Sequence, residues 1–360
     1  MQSGIPFCKS SYTSSKAVDS MIITCPHCKK RYSIPDEGIA KIMERAVVPC
    51  PACKKDIRSS LATGQPAGTE TKSAAAETPP GAGSIKERLA QALNSLPPMP
   101  PAFDQARGLM ADAQARPADM AHVLEANPAI AARVLRLAGM SLYGDTDSLS
   151  SIPQAVAALN MQTLNEFVTL ACAAGLLHSG LSGYGLDAWD LWRHSLAVAY
   201  CARTLAARKV PGMVEEAFLA GLFHDCGKLI LDSFVEERSE SFFAFVYDKK
   251  QSFVDAERRI LGFEHPQVAA DVCVKWRIPK RQIVAIALHH TPSRFEHNPL
   301  ACVLHAADAT AMMSGIGLGI DGLHYIIDEK AMKFLAVDDD VLGILMADAA
   351  RYVQRIMACF

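Results

Sequence analysis

From about residue 85 to the last residue, apolar side chains recur at the spacing of an α-helix. In one segment, Ile130, Val134, Leu137 and Ala138 stand at positions i, i+4, i+7 and i+8, the pattern of a helix with one buried face. Clusters of proline and glycine cut this part of the chain into pieces of ordinary helix length. There is no convincing series of alternating strands. The pattern therefore predicts an all-α body.

The composition suits a protein with a large buried core. Half of the 360 residues are hydrophobic, which predicts one large domain, or two modest ones, with appendages. The formal net charge is only −2, so charge gives no general reason to expect nucleic acid or an anionic membrane as a partner. The longest apolar run, Phe167 to Leu177, is much shorter than the roughly 20 residues that span a bilayer. We expect no membrane span.

The cysteines indicate a reducing compartment. Four of the eleven form two Cys-x-x-Cys pairs, and the other seven are scattered among aliphatic residues. Secreted disulfide scaffolds use cysteine differently, so we expect a cytoplasmic protein. Residues 1–20 are polar, serine-rich and without period, and we expect them to be disordered. Met21 opens the first patterned segment, and one interpretation is that the protein starts there.

The two Cys-x-x-Cys pairs have the spacing of a structural zinc site. Cys25 and Cys28 are separated from Cys50 and Cys53 by 21 residues. Four thiolates satisfy Zn²⁺ tetrahedrally and leave no open position, and so short a segment takes its folding energy from the metal. We therefore predict a small zinc ribbon over residues 21–58. The segment also resembles the zinc ribbon found at the front of many bacterial regulatory proteins.

The predicted ribbon is basic and the rest of the chain is acidic. Residues 21–58 carry eight Lys or Arg and four Asp or Glu. Such a surface can bind phosphates, but it equally suits the solvated face of a tiny domain, and Tyr32 is the only aromatic residue available for base stacking. We therefore do not expect nucleic acid as a partner. Residues 59–84 are rich in Ala, Gly, Pro, Thr and Ser, which predicts a flexible linker.

The helical body is predicted to have two halves, residues 85–182 and 183–360, with a break rich in Gly and Ser at His178 to Gly185. In its carboxyl-terminal part, metal-capable side chains fall on or at the ends of predicted helices. One of them, His194, shares an apolar stripe with Val198, so its ring is either a metal ligand or a hydrogen-bonded core histidine. The candidate ligands are His194, His224, Asp225, His265, His289, His290 and Asp308.

Two of these candidates are carboxylates that interrupt apolar stripes. Asp225 belongs to the stripe from Phe218 to Leu229, which predicts one helix across it, and Asp308 lies in the stripe from Leu300 to Ala311. An unpaired buried carboxylate costs several kcal/mol, so each needs a cation. For Asp225 the cation is a metal or Lys228. Lys228 in turn either forms a structural ion pair or acts as a catalytic residue that faces a substrate phosphate.

The remaining candidates also have structural interpretations. His265 precedes Pro266, which predicts an N-cap with proline at the first helical position. His289 and His290 end the helix that begins near Lys280, where the helix dipole favours histidine. As a metal site, a set of His and Asp without thiolates suits one or two divalent ions of Fe, Mn, Zn or Ni.

Several segments together resemble the HDOD family, the HD-related output domain of bacterial signalling proteins. They are the segments 96–100, 127–138, 151–156 and 191–199, and the resemblance runs from about residue 90 to about residue 310. It implies an HD-type helical fold and a signalling role. The output would be a binding or conformational change passed to a partner protein, and HDOD domains are generally non-hydrolytic.

The order of the seven candidate ligands also resembles that of the HD-type metal-dependent phosphohydrolases. This implies an alternative function, the hydrolysis of a nucleotide or cyclic nucleotide. His224, Asp225 and Asp308 would hold a core metal, with His194 beside them. The remaining three histidines would recruit a second metal, and Lys228 would neutralise charge on the phosphoryl oxygens. No Gly-Tyr-Pro follows the paired histidines, which disfavours cyclic dinucleotide hydrolysis.

Overall fold

The computed structural model describes residues 20–24, 31–35, 84–139, 151–294, 298–322 and 324–360. The chain divides into two units, Met1–Pro80 and Gly81–Phe360, and each is described by itself. In the first unit, β1 (Ser20–Thr24) pairs with β2 (Arg31–Pro35) in antiparallel orientation. The four cysteines of the predicted zinc ribbon, Cys25, Cys28, Cys50 and Cys53, lie outside the described residues, as does most of the predicted linker.

The second unit is built from helices joined by short connections. The helices are α1 (Ile85–Ser95), α2 (Pro101–Ala111), α3 (Pro117–Glu125), α4 (Pro128–Ala138), α5 (Ile152–Ala158), α6 (Met161–Leu177), α7 (Asp190–Lys209), α8 (Val214–Phe223), α9 (Lys228–Glu237), α10 (Ser239–Phe243), α11 (Phe253–Ile260), α12 (His265–Lys275), α13 (Lys280–Leu288), α14 (Pro299–Met313), α15 (Glu329–Leu335) and α16 (Asp339–Met357). No strand occurs among the described residues of this unit. The prediction of an all-α body is confirmed for them.

Local sequence explains where several helices begin. Ser84 and Glu87 form a capping box at the start of α1, because each side chain accepts a hydrogen bond from the other residue's backbone N–H. Helices α2, α3, α4 and α14 carry proline at their first position, where the missing N–H is not needed. The predicted break at His178 to Gly185 lies in the connection between α6 and α7.

Helix α7 lies at the centre of the carboxyl-terminal half. It packs against α8, α14 and α16, and its small and aliphatic residues, such as Ala199 and Ala202, are fully buried. Helix α13 packs against both α8 and α14, and α12 packs against α13 and α9. The ends of α8, α12 and α13 therefore meet beside the middle of α14 and the first turns of α7.

The predicted helix from Phe218 to Leu229 is wrong, because the chain forms two helices with a turn between them. Helix α8 ends at Phe223 and α9 begins at Lys228. The turn brings Gly227 against the start of α12. A Cβ atom at Gly227 would lie 2.2 Å from the carbonyl oxygen of His265, so no larger residue fits. Asp225 consequently projects from a turn rather than from a helical face.

The last helix closes the core. Helix α16 packs against α7 and α14, and its apolar residues Leu345, Ala349, Val353 and Ile356 are buried. None of the helices in the described parts of the chain is long and apolar enough to cross a membrane.

Candidate metal centre

The structure brings all seven candidate ligands to one place. His194 lies in the second turn of α7, and Asp308 lies in the middle of α14. His224 and Asp225 occupy the turn after α8, and His289 and His290 directly follow α13. His265 is the first residue of α12, with Glu264 as the N-cap, one residue from the predicted position. Six of the seven are buried, and His290 is partly exposed.

Backbone carbonyls orient three of the rings. The Nδ1 atoms of His224, His289 and His194 lie 2.9, 2.7 and 3.3 Å from the carbonyl oxygens of Gly221, Ile286 and Ile316, respectively. A carbonyl oxygen only accepts, so each Nδ1 carries the proton and donates it. In a neutral ring the lone pair is then on Nε2, which faces the centre of the cluster. This is the usual arrangement of metal-binding histidines.

Four of the residues form a first ligand group: His194, His224, Asp225 and Asp308. His194 Nε2 lies 3.1 Å from Asp308 Oδ1. His224 Nε2 lies 3.4 Å from Asp225 Oδ2 and 3.6 Å from Asp308 Oδ1. Two ligands bound at about 2.0–2.1 Å to one metal lie about 2.8–3.5 Å apart, so these separations match or closely approach ligand edges around a single ion.

The other three histidines form a second ligand group, His265, His289 and His290, which also faces Asp225. Their ring nitrogens lie within 4.8 Å of one another. His265 Nε2 lies 3.1 Å from His290 Nε2 and 3.3 Å from Asp225 Oδ1. His289 Nε2 lies 3.9 Å from the same carboxylate oxygen. Asp225 thus presents one oxygen to each group, as a carboxylate shared by two metals does.

Three buried atoms at the centre have no hydrogen-bond partner among the described residues. They are His224 Nε2, Asp225 Oδ1 and His289 Nε2. All three are acceptors once the carbonyl-bound Nδ1 atoms carry the ring protons. An acceptor buried without a donor costs about 1–3 kcal/mol. A bound cation would compensate these converging acceptors. A dry core without a cation would leave them unpaired.

The charge states of the cluster also suit a cation. Burial alone would raise the pKa of Asp225, but the neighbouring His224 and Lys228 side chains hold it well below its usual range. The side chains of His194 and His224 likewise hold the pKa of Asp308 well below normal against the effect of burial. Burial, reinforced by the neighbouring His224 ring, lowers the pKa of His289 to about 3, so this ring is neutral at pH 7 and offers a lone pair.

His265 behaves differently because a second carboxylate stands behind it. Glu257 of α11 is fully buried and accepts from both the backbone N–H and Nδ1 of His265, at 2.8 and 2.9 Å. The hydroxyl of Tyr184 donates to the same carboxylate at 2.7 Å. Burial would lower the pKa of His265, but Glu257 and Asp225 raise it to about 10. Without metal, the ring of His265 is therefore protonated at pH 7.

Lys228 is held between two carboxylates. Its Nζ lies 2.5 Å from Asp225 Oδ2 and also pairs with Asp321. Burial opposes the charge of Lys228, but the two carboxylates keep its pKa above the usual value. The structural ion pair that the sequence allowed is therefore present. Lys228 also lines a cavity beside the second ligand group. The ion pair therefore does not decide whether Lys228 has the predicted catalytic role.

A cavity of about 200 Å³ opens onto the second ligand group. Its wall includes His265, His290, Asp225 and Lys228, and Arg258 lies at its edge. Asp308 also lines the cavity, whereas His194, His224 and His289 do not. The cavity therefore borders both carboxylates of the first group and two histidines of the second.

Sequence reasoning missed four residues that contact the candidate ligands or Lys228. Glu257 had a signal, since it interrupts the apolar face formed by Phe253, Ala256 and Ile260. Tyr325 donates to Asp308 Oδ2 at 2.7 Å, and His305 Nδ1 donates to the carbonyl of His289 at 2.8 Å. The fourth is Asp321, the partner of Lys228.

Comparison with known proteins identifies the class of this fold. The HDOD domain family matches residues 96–292, which is more than half of the chain. The chain therefore belongs to the HDOD domain family. No curated protein matches it.

Solved structures agree on the fold. An HDOD domain protein with unknown function from Geobacter sulfurreducens is 22% identical with a TM-score of 0.61, over 77% of this chain and 99% of that one. A candidate phosphohydrolase from Shewanella amazonensis is 22% identical with a TM-score of 0.57, over 76% and 97%. A candidate signal transduction protein from Marinobacter aquaeolei is 22% identical with a TM-score of 0.58, over 76% and 64%.

Proposed function

We propose that this protein is a cytoplasmic bacterial regulatory protein whose HDOD body binds metal and acts on a signalling partner through a binding or conformational change. The family supports the regulatory part, and one structural relative is described as a candidate signal transduction protein. The metal part rests on the three converging acceptors, His224 Nε2, Asp225 Oδ1 and His289 Nε2. A non-metal core would not retain three unpaired polar atoms in contact with buried carboxylates.

The ligand set favours two metals rather than one. The first ligand group holds two imidazoles and two carboxylates, and the second holds three imidazoles beside the shared Asp225. Nitrogen and oxygen donors without thiolates suit Fe, Mn, Zn or Ni. We therefore propose one or two divalent transition metals in the body.

We also propose a structural zinc ion bound by Cys25, Cys28, Cys50 and Cys53 in a ribbon over residues 21–58, followed by a flexible linker to residue 84. The spacing of the cysteines supports it. The ribbon would hold one zinc and leave no open coordination position. Nucleic acid is not among the proposed partners, whereas a nucleotide remains a candidate ligand of the body.

Metal analysis of the full-length protein tests this proposal. We expect at least two metals per chain, one in the ribbon and one or more in the body. The double variant Cys50→Ser/Cys53→Ser removes the ribbon zinc and serves as the background for the body site. In that variant we expect at least one transition metal per chain. If it contained only background metal after expression in medium supplemented with Fe, Mn, Zn and Ni, the proposal would be wrong.

A second candidate function is metal-dependent phosphohydrolysis, and the cavity is the observation that favours it. The cavity connects the outside to Asp225, His265 and His290, with Lys228 in its wall. Metals held there would supply Lewis-acid charge for the attack of water on phosphorus. Lys228 would bind a phosphoryl oxygen, and Asp225 would hold the ammonium group in place.

Hydrolysis of p-nitrophenyl phosphate and bis(p-nitrophenyl) phosphate by the metal-loaded protein tests this second function. We expect turnover that the Asp225→Asn variant lacks. Asp104→Asn is the matched control, since Asp104 lies on α2 and pairs with Arg277 at 3.5 Å, away from the cavity. A protein that carries its full complement of metal and cleaves neither compound would be a binding protein only.

A further inference from the structure

A glycine-rich segment crosses the metal centre. We call residues 314–322, Ser-Gly-Ile-Gly-Leu-Gly-Ile-Asp-Gly, the strap. It leaves the end of α14 and runs over the start of α7 to Asp321. Gly317 has a positive φ of 62°, and a Cβ atom there would lie 2.2 Å from the carbonyl oxygen of Asp190 and 2.9 Å from His194 Cβ. The close approach requires glycine at this position.

Three contacts tie the strap to the site. The carbonyl of Ile316 accepts from Nδ1 of His194 at 3.3 Å. The backbone N–H of Ile320 donates to the carbonyl of Tyr184 at 2.8 Å. The carboxylate of Asp321 pairs with Lys228. Only the last contact joins two charged side chains, and both line the cavity.

The pair of Lys228 and Asp321 is placed where an anion that enters the cavity would compete with it. The two side chains are only 5% and 7% exposed, so Asp321 depends on Lys228 for compensation of its charge, whereas Lys228 keeps Asp225 as a second partner. A buried ion pair adds little net stability, because desolvation offsets the attraction. An incoming anion of higher charge can therefore replace the carboxylate at the ammonium group at a small net cost.

We propose that Asp321 occupies the position of the phosphoryl group of a small phosphorylated ligand, and that binding of this ligand expels Asp321 and releases the strap. The inference rests on the proposed metal centre, because metals beside Lys228 would add the positive charge that favours a phosphoryl dianion over a monoanionic carboxylate.

The size of the cavity supports a small ligand. Its volume of about 200 Å³ is below the range of about 300–1,000 Å³ for sites that take drug-sized molecules. Arg258, at the edge of the cavity, is already paired with Asp255 and Glu264 at 2.7 and 2.5 Å. A ligand at Arg258 would have to break these two surface ion pairs. A ligand at Lys228 would have to displace only the carboxylate of Asp321.

Release of the strap would also reach other parts of the fold. The strap contacts the first turns of α7 through Gly317, and it contacts the connection between α6 and α7 through Tyr184. Leu318 of the strap is 43% exposed. Occupancy of the cavity would thus change a surface segment while the helices stay packed, which is what a signalling output needs.

Calorimetric titration of the full-length protein with inorganic phosphate tests the inference. In Asp321→Asn the internal competitor loses its charge, so we expect phosphate to bind at least about tenfold more tightly than to the wild type. Asp255→Asn is the matched control, because Asp255 lines the same cavity but pairs with Arg258. We expect it to change the affinity by less than about threefold.

Equal phosphate affinity in the wild type and Asp321→Asn would overturn the inference. An equal gain in affinity in Asp321→Asn and Asp255→Asn would also overturn it, because any lost negative charge in the cavity would then have the same effect. Failure of both wild type and Asp321→Asn to bind phosphate would overturn it too. Hydrogen exchange of the wild type provides a second measurement. Saturating phosphate should raise exchange in the strap, and unchanged exchange would contradict its release.

Metal content is measured on the same samples. If residues 85–360 hold no metal, the proposed function is wrong. The ratio of the phosphate affinities of Asp321→Asn and wild type tests the role of Asp321 alone.

Discussion

The first and second ligand groups share Asp225 but are built differently. In the first group, His194 and Asp308 project from within packed helices, and the rings of His194 and His224 are held by backbone carbonyls. In the second group, every histidine stands at a helix terminus. His289 is held by a backbone carbonyl, but His265 is held by the side chain of Glu257. The cavity reaches two of the three histidines of the second group, and of the first group it reaches the carboxylates Asp225 and Asp308 but neither imidazole.

This difference suggests a division of roles. The carbonyl of Gly221 belongs to α8 and that of Ile316 to the segment after α14, so backbone atoms orient both imidazoles of the first group, and neither imidazole lines the cavity. The second group depends on a side-chain carboxylate at His265, and two of its histidines line the cavity. We therefore expect a metal in the first group to be held more tightly, and a metal in the second to exchange more readily and to contact a ligand.

The largest effect is expected from the residue that the two groups share. In the Cys50→Ser/Cys53→Ser background, Asp225→Asn should remove metal from both groups. Asp308→Asn should remove it from the first group only, because Asp308 Oδ1 faces His194 and His224. Metal counts per chain distinguish the two variants. Equal metal loss in both would mean that the cluster is one indivisible site.

Glu257→Gln should affect the second group alone. The amide keeps the shape of the side chain but no longer compensates the charge of His265, and loss of such a partner typically lowers metal affinity by about 10–100-fold. Competition with a chelator measures the affinity of each metal. Tyr184→Phe, which removes the other hydrogen bond to Glu257, should have the same direction and a smaller size. A weaker metal in the first group would contradict the division.

The second group should also depend on pH. In the metal-free protein the pKa of His265 is raised to about 10, so the ring is protonated at pH 7 to 8 and metal must displace that proton. In Asp308→Asn, which leaves the second group, metal affinity should rise about tenfold for each pH unit between pH 7 and 8. The dissociation constant at the two pH values tests this. A constant affinity would mean that His265 is not a ligand.

A small effect is expected from Tyr325→Phe. The hydroxyl of Tyr325 donates to Asp308 Oδ2 at 2.7 Å, and removal of one such hydrogen bond costs about 1 kcal/mol, or about fivefold in affinity. The loss should appear in the first group and not in the second. Chelator competition again separates the two, and an effect confined to the second group would show that Tyr325 acts through the neighbouring His290.

Asp225 and Asp308 were predictable because each interrupts an apolar stripe, whereas the histidines at helix termini were singled out by the resemblance to the HD-type phosphohydrolases. Asp308 was found as an acid in an apolar stripe, and the same criterion applied to α11 would have found Glu257. The break between α8 and α9 was not predictable from periodicity. It depends on the approach of Gly227 to the start of α12, about 40 residues later in the chain.

Asp321 and Tyr325 had no local signal at all. They lie in or just after a segment whose glycines carry no hydrophobic period, and their partners, Lys228 and Asp308, are distant in sequence or on another element. Tertiary packing alone places them. The helical fold and the clustering of the seven side chains were therefore within reach of sequence reasoning, and the contacts that Asp321 and Tyr325 make with the cluster were not.

Anomalous diffraction from crystals of the full-length protein tests the central claim most directly. Data collected at the absorption edges of Fe, Mn, Ni and Zn should show a peak at a bonding distance of about 2.0–2.2 Å from His224 Nε2 and Asp225, with a second peak beside His265 and His289 when that group is filled. Well-ordered ligand side chains with no anomalous peak among them would contradict the account.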